Sequence, residues 1–394
     1  MTDPRLAMPH RVDMPTAVFD DAYVVLDAVT AETHLLETTT AVVFDACDGV
    51  TTSAELIDDF VVGLGVEPAT AVALIEESLA SLSDLGLLRG TERQAPPPCI
   101  GCRDPLLDEP VRRRRKSAGL EMLGSYSAHG VRFRLESTGD LGAALRDAFE
   151  DLAAPTRRGE IALRVRPTSE GLFDVEWGDR LQARGIDEAN ALAQALISVN
   201  YAAAAASVAA GDAVLHAGAI AIGGQGVAFA GSSGVGKTTL VAGAAQRGYG
   251  VIAEEVCAID AFGAVRPYHR PLGLRAAGAA ALGLTPPAEG RYEHVWPVSA
   301  RRWAPLSQGA PLRLVLVSNY RPGPPEIERW SPARSHAALV GCGLGVDAGG
   351  ALAEPAFRRF EQLARTVPVY RLDYDDIDIA LVIVNDLIED ALAN

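Results

Sequence analysis

The chain has 394 residues, 48% of them hydrophobic, enough for a sizeable core and for two or three domains. Its 51 acidic against 35 basic residues leave a net charge of −16 at pH 7, which argues against a nucleic-acid partner, because a polyanion rewards clustered Lys and Arg through counterion release. No apolar run reaches membrane-spanning length, the start (Met1-Thr2-Asp3-Pro4-Arg5) has no signal-like core, and five cysteines make no disulfide framework, so a cytoplasmic protein with reduced thiols and no membrane partner is expected.

Taken in order, Tyr23-Val24-Val25-Leu26 and Thr33-His34-Leu35-Leu36 predict two short strands around an acidic turn. Thr38, Thr39 and Thr40 can cap a helix carrying Val42, Val43, Phe44 and Ala46, which stops at Asp48-Gly49. Thr52 or Ser53 opens a second helix, and Glu67-Pro68 a third in which Val72, Ile75, Leu79, Leu82 and Leu85 recur at helical spacing. This is a small winged-helix-like unit. Glu55, Asp58, Asp59, Glu76 and Glu77 on its helices count against DNA binding.

Over about residues 17–90, with Asp48-Gly49 and Asp84-Leu85-Gly86-Leu87-Leu88 as its motifs, this order resembles the PqqD family of peptide chaperones. The same module serves as the recognition element of enzymes that modify ribosomally made peptides. The resemblance implies that residues 1–90 bind the leader of a precursor peptide. An extended peptide could add a strand to the hairpin edge and lay apolar side chains on the long helix. A plain winged-helix domain is the alternative.

Residues 91–116 read as a linker containing Pro96-Pro97-Pro98, the pair Cys99 and Cys102, and the run Arg112-Arg113-Arg114-Arg115-Lys116. The cysteines have the spacing of a metal clip, but a structural zinc site takes four ligands and no second pair exists, so an incidental pair is preferred. The basic run reads as solvated linker, with docking of an acidic peptide or nucleotide as the alternative. Residues 117–210 predict a mixed α/β accessory lobe, with strands at 131–135 and 161–165 and helices over 141–152 and 189–210.

Gly231-Ser232-Ser233-Gly234-Val235-Gly236-Lys237-Thr238 fits the phosphate-binding pattern G-x-x-x-x-G-K-[ST] at every specified position. Apolar, strand-like 226–230 precedes it and helix-like 239–245 follows. Glycines let the backbone amides turn toward phosphate oxygens, and the helix N-terminus adds partial positive charge. Lys237 would hold the β and γ phosphates, and Thr238, or Thr239 beside it, would offer a hydroxyl to magnesium. ATP and Mg2+ are therefore the expected cofactors. A further strand-like stretch, Val251-Ile252-Ala253, ends in Glu254-Glu255, which would lie at the phosphate end of the sheet, where magnesium and a base belong. Arg270 or Arg275 could steady charge on a transferring phosphoryl group.

His216, Gly231, Gly234, Gly236, Lys237, Thr238, Arg247 and Gly248 together resemble the HPr kinase family. There, a histidine strand precedes the phosphate loop and an Asp-Asp pair follows a Lys-Arg-Gly-His-like turn. The resemblance implies an α/β P-loop kinase domain over residues 211–394, with Glu254 as base, His216 as its helper and Glu255 with Thr238 at the metal. Glu replaces Asp here, the extra methylene moves the oxygens by more than about an ångström, and the roles of Glu254 and Glu255 can be exchanged. The C-terminal signature of HPr kinases is absent, which leaves the broader class of HPr-kinase-like proteins, some of which phosphorylate modified peptides such as lasso precursors. The tail completes the domain with a strand at 312–317, a helix at 355–365, a strand at 367–372 and a helix at 377–392.

Joined, the two resemblances imply an ATP-dependent kinase acting on a Ser or Thr of a precursor peptide held by its leader. The alternatives are a non-catalytic nucleotide-binding peptide chaperone, or a kinase of an HPr-like protein or a small alcohol. Self-association is left open.

Overall fold

The structure is a computed structural model that describes residues 6–27, 29–30, 32–92, 119–288, 290–344 and 353–393. Cys99, Cys102 and the basic run at 112–116 lie outside the described residues. The chain divides into two compact units. One draws on Met1–Pro97, Trp330–Gly341 and Val346–Thr366, the other on Pro98–Arg329, Cys342–Gly345 and Val367–Asn394.

The first unit opens with β1 (Thr16–Val18), β2 (Ala22–Asp27) and β3 (Glu32–Glu37), an antiparallel sheet in that order. Three helices follow: α1 (Thr38–Ala46), α2 (Ser53–Leu64) and α3 (Pro68–Asp84). Local chemistry sets their ends. Thr52 Oγ1 accepts the Glu55 N–H while Glu55 Oε2 accepts the Thr52 N–H at 2.8 Å, a capping box, and Gly65 closes α2 in the left-handed conformation. Pro68 begins α3, where its missing N–H costs nothing. Val25, Leu36, Phe44, Leu56, Phe60, Ile75 and Leu82 form the core. The predicted hairpin is thus a three-stranded sheet, since 16–18 joins its edge.

The second unit starts with β4 (Glu121–Ala128), β5 (Val131–Ser137), α4 (Gly139–Ala148), β6 (Ile161–Pro167), β7 (Phe173–Trp177), β8 (Arg180–Ile186) and α5 (Glu188–Ala209). Its five strands lie in sequence order, with β5 and β6 parallel and the other pairs antiparallel. By length and hydropathy α5 is apolar enough to cross a membrane, but 56% of that stretch is buried inside the protein, the pattern of a core helix.

The chain continues through β9 (Ala213–Ile222), β10 (Gln225–Ala230), α6 (Lys237–Gln246), β11 (Gly250–Ala253), β12 (Val256–Ile259), β13 (Ala264–Val265), β14 (Leu272–Leu274), α7 (Ala276–Ala281) and β15 (Trp296–Val298). It closes with β16 (Ala310–Tyr320), β17 (Glu326–Arg329), α8 (Pro332–Gly341), α9 (Ala353–Thr366), β18 (Val369–Tyr374) and α10 (Ile377–Ala393). Gly223 and Gly224, both at positive φ, turn β9 into β10 as a two-residue hairpin. β10 then lies between antiparallel β9 and parallel β16, and β18 runs parallel to β16. On its other edge β9 pairs first with β11 and then with β12. The C-terminal ends of β10, β16 and β18 therefore point the same way, the arrangement that places a ligand beyond the strand ends of α/β sheets.

Two boundaries differ from the sequence expectation. The lobe at 117–210 shares a compact unit with the phosphate-loop sheet, and the stretch 211–394 is interrupted, because α8 and α9 belong to the first unit. The reason is burial: β2 is buried almost throughout, and α8 packs on β2 and β3. Arg358 and Arg365 of α9 donate to the Thr16 and Val18 carbonyls of β1. The fold is mixed α/β, with several sheets.

Candidate functional site

The phosphate-loop residues form a turn between β10 and α6 that needs its glycines. Gly231, Gly234 and Gly236 all have positive φ, and a Cβ on Gly236 would stand 2.1 Å from Tyr374 Oη. Lys237, the first residue of α6, is 8% exposed, and its Nζ donates to the Gly231 carbonyl at 2.9 Å and the Ser232 carbonyl at 2.8 Å. Burial lowers its pKa, while the charges of Glu255 and Glu254 act in the opposite direction. Ser233 Oγ accepts from Arg275 at 3.3 Å, and Val235 carries its carbonyl toward Tyr374. Thr239 packs against α7, where a Cβ on Gly278 would come within 2.7 Å of its Oγ1.

Glu254 and Glu255 fill the break between β11 and β12. The Val256 N–H donates to the Glu254 carbonyl at 2.8 Å across Glu255, whose φ is +66, the hydrogen-bond pattern of a γ-turn. That conformation is unusual for a residue with a side chain and marks a backbone held by its surroundings. It sends the two carboxylates to different partners. Thr238 Oγ1 donates to Glu254 Oε1 at 2.5 Å. Glu255 Oε2 lies 2.7 Å from His216 Nε2, and Glu255 Oε1 lies 3.4 Å from Arg270 Nη1. His216 reaches that position from β9, where it is paired with Val256, the residue following Glu255.

Electrostatics separates the pair further. Glu254 is 1% exposed, and burial, reinforced by the neighbouring Glu255 charge, raises its pKa against the opposing pull of Arg270, Thr238 and Lys237. Burial works on Glu255 in the same direction, but there the His216 hydrogen bond and the charges of Arg270, His216 and Lys237 prevail and hold it below the usual carboxylate range. Glu255 is the ionised partner.

Sequence reasoning joined His216 to Glu254 and Thr238 to Glu255; the structure brings together His216 with Glu255, and Thr238 with Glu254. The turn between β11 and β12, with Glu255 at positive φ, sends the two side chains apart, and the pairing of Val256 with His216 sets Glu255 beside the imidazole. As for a divalent cation, Thr238 on the cavity wall offers a hard oxygen donor, while Glu254 holds its hydroxyl from beneath and does not itself line the cavity, its Oε2 facing Gly218 and Val241. Among the described residues no group of three or more His, Cys, Asp or Glu is disposed as a metal cluster. Magnesium needs none, since it keeps waters and phosphate oxygens as ligands.

A cavity of about 560 Å³ joins the phosphate loop to the His216–Glu255 pair and is lined by His216, Ser233, Gly234, Gly236, Lys237, Thr238, Thr239, Glu255 and Arg275. Its wall continues over Gly278, Tyr320, Tyr374, Asp375, Asp376, Ile377 and Asp378. Arg270 is 7% exposed and sits behind Glu255, whereas Arg275, at the start of α7, reaches the loop. Tyr320 and Tyr374 were missed in the sequence. Each ends a strand parallel to β10, a placement that only the strand order reveals.

No known protein family and no curated protein matches the chain. Among solved structures, it is similar to the Hpr(Ser) kinase/phosphatase from Coxiella burnetii, at 12% identity and a TM-score of 0.25, over 46% of this chain and 97% of that one. The chemistry of the site is therefore read from its own residues.

Proposed function

We propose that this protein is an ATP-dependent kinase that phosphorylates a Ser or Thr hydroxyl of a ribosomally made precursor peptide, with the first unit binding the leader. The observation that supports it best is the His216–Glu255 pair in one cavity with Lys237 and Thr238. Loop amides and Lys237 hold the triphosphate, and Arg275 lies against the loop to meet charge on the γ-phosphoryl group. His216 Nε2 donates to Glu255 and fixes its orientation. As the substrate oxygen bonds to the γ-phosphorus and the bond to the β-phosphate oxygen breaks, the hydroxyl proton passes to Glu255 and ADP leaves. A strongly basic carboxylate is not required, because the transition state is loose and the hydroxyl becomes acidic as the new bond forms. Magnesium would be held by the Thr238 hydroxyl, which Glu254 orients from beneath, and would neutralise phosphate charge. Arg270 positions Glu255 from behind.

In this reading the first unit raises the local concentration of the acceptor residue at the active site. The test is mass spectrometry of precursor peptides, with and without their leaders, incubated with the full chain, ATP and magnesium. A gain of about 80 mass units on Ser or Thr, lost with Lys237→Ala and reduced when the leader is removed, supports the peptide kinase. ATP binding with no gain on any peptide favours the chaperone. Phosphorylation insensitive to the leader removes the first unit's proposed role and points to another hydroxyl substrate.

A further inference from the structure

We propose that the wall of the cavity formed by Tyr320 and Asp375 is the nucleobase subsite, taking a purine stacked on the Tyr320 ring with an amino N–H directed at Asp375; this rests on reading the site as a nucleotide site. Charge sets the orientation. Lys237 and Arg275 line the cavity at the phosphate loop, while Asp375, Asp376 and Asp378 line it at the start of α10. A triphosphate carries about four negative charges and is repelled from the carboxylates, so the uncharged base is the part that fits there. Sheet order agrees, because His216 and Glu255 lie on the β9 side of β10, and Tyr320 and Asp375 lie on the β16 and β18 side.

The surface is built for a flat ring. Tyr374 is 1% exposed and fixed beneath Gly236, and it meets Tyr320 edge-on, with centroids 5.6 Å apart and planes at 72°. Held this way, Tyr320 stays 54% exposed on the cavity wall. Such a ring accepts a stacked base. Of the three carboxylates, two are committed: Asp376 Oδ1 caps α10 by accepting from Asp378 and Ile379, and Asp378 pairs with Arg247. Asp375 accepts only the Gly323 N–H, through Oδ2 at 3.1 Å, and has no other hydrogen bond among the described residues. Its remaining oxygen can accept an N–H from a base edge, which selects a base bearing an amine.

The test is equilibrium binding of ATP, purine riboside triphosphate (which lacks the amino group) and inorganic tripolyphosphate to the full chain. The wild type should bind ATP more tightly than either of the others. Tyr320→Ala should weaken ATP by about tenfold or more and leave tripolyphosphate unchanged, with Tyr320→Phe close to wild type. Asp375→Ala should bring ATP to the affinity of purine riboside triphosphate. Equal wild-type affinity for ATP and tripolyphosphate, or an equal loss of both ligands in Tyr320→Ala, would overturn the subsite while leaving the phosphate loop intact. Failure of the wild type to bind any of the three overturns the nucleotide reading and the subsite with it.

Discussion

His216, on β9, and Glu255, in the turn that precedes β12, meet at 2.7 Å. The contact exists because β11 and β12 both pair with β9 and the turn between them puts Glu255 at φ +66. Its neighbour Glu254 is left beneath α6 with Thr238. Two residues of the same type, joined by one peptide bond, so occupy different electrostatic environments, the usual way a site assigns different tasks to similar groups.

Glu255→Gln removes the proposed proton acceptor and keeps the shape. Phosphotransfer should fall by roughly 10²- to 10⁴-fold with ATP affinity unchanged. His216→Ala, which removes only the orienting partner, should lose less. Steady-state rates alongside nucleotide titration check both, and a Glu255→Gln variant of wild-type rate would remove Glu255 from the chemistry.

Glu254 has a stability signature of its own. Its pKa is raised above the ordinary 4.5, so the folded state holds this proton more tightly than the unfolded chain. The stability it contributes is present below that value and is lost as pH rises above it. Glu254→Gln abolishes the dependence while its carbonyl can still accept from Thr238. The gain in unfolding free energy of the variant over wild type should therefore grow between about pH 5 and about pH 8 in urea titrations. A difference independent of pH would show that Glu254 titrates normally.

Space behind Glu254 is tight. A Cβ on Gly218 would stand 2.5 Å from Val241 Cγ2 and 3.0 Å from Glu254 Oε2. Gly218→Ala should destabilise by about 1–3 kcal/mol, and adding Val241→Ala should recover part of the loss. Thermal unfolding of the two single variants and the double variant measures the coupling; strict additivity would mean that the side chains do not compete for the same space.

In the first unit, His336 is fully buried between Phe19 and Phe357, with Nε2 against the Phe357 carbonyl at 3.0 Å. Burial lowers its pKa from 6.5 to about 4. The folded state favours neutral imidazole, so the stability it contributes is full above pH 6.5 and is lost as pH falls toward 4. The loss should be about 2 kcal/mol at pH 5. His336→Asn should be less stable at neutral pH and show a flatter decline on acidification, as followed by urea unfolding at the two pH values.

Much of this fold is legible in the residues because it is decided locally. The capping box of Thr52 and Glu55, the Pro68 start of α3, the Gly223-Gly224 hairpin and the strand–loop–helix around Lys237 depend on neighbours a few positions away. Other elements are not written in local pattern. Residues 16–18 become β1 only by joining β2, the Ala-rich 276–281 becomes α7 against Thr239, and 332–341 becomes α8 by packing on β2 and β3. Short segments of weak periodicity take their structure from what they cover.

By itself the sequence determined that a glycine loop ending in Lys237-Thr238 would sit between a strand and a helix, with a histidine strand before it and a carboxylate pair after it. Spacing and residue type suffice for that, because backbone turns and helix starts are local. Which carboxylate meets His216, which arginine reaches the loop, and the placing of Tyr320 and Asp375 on the same cavity wall were decided only by tertiary structure. Those juxtapositions span 39 to 55 positions along the chain and depend on strand register and on one left-handed residue, Glu255, whose conformation the surrounding sheet imposes.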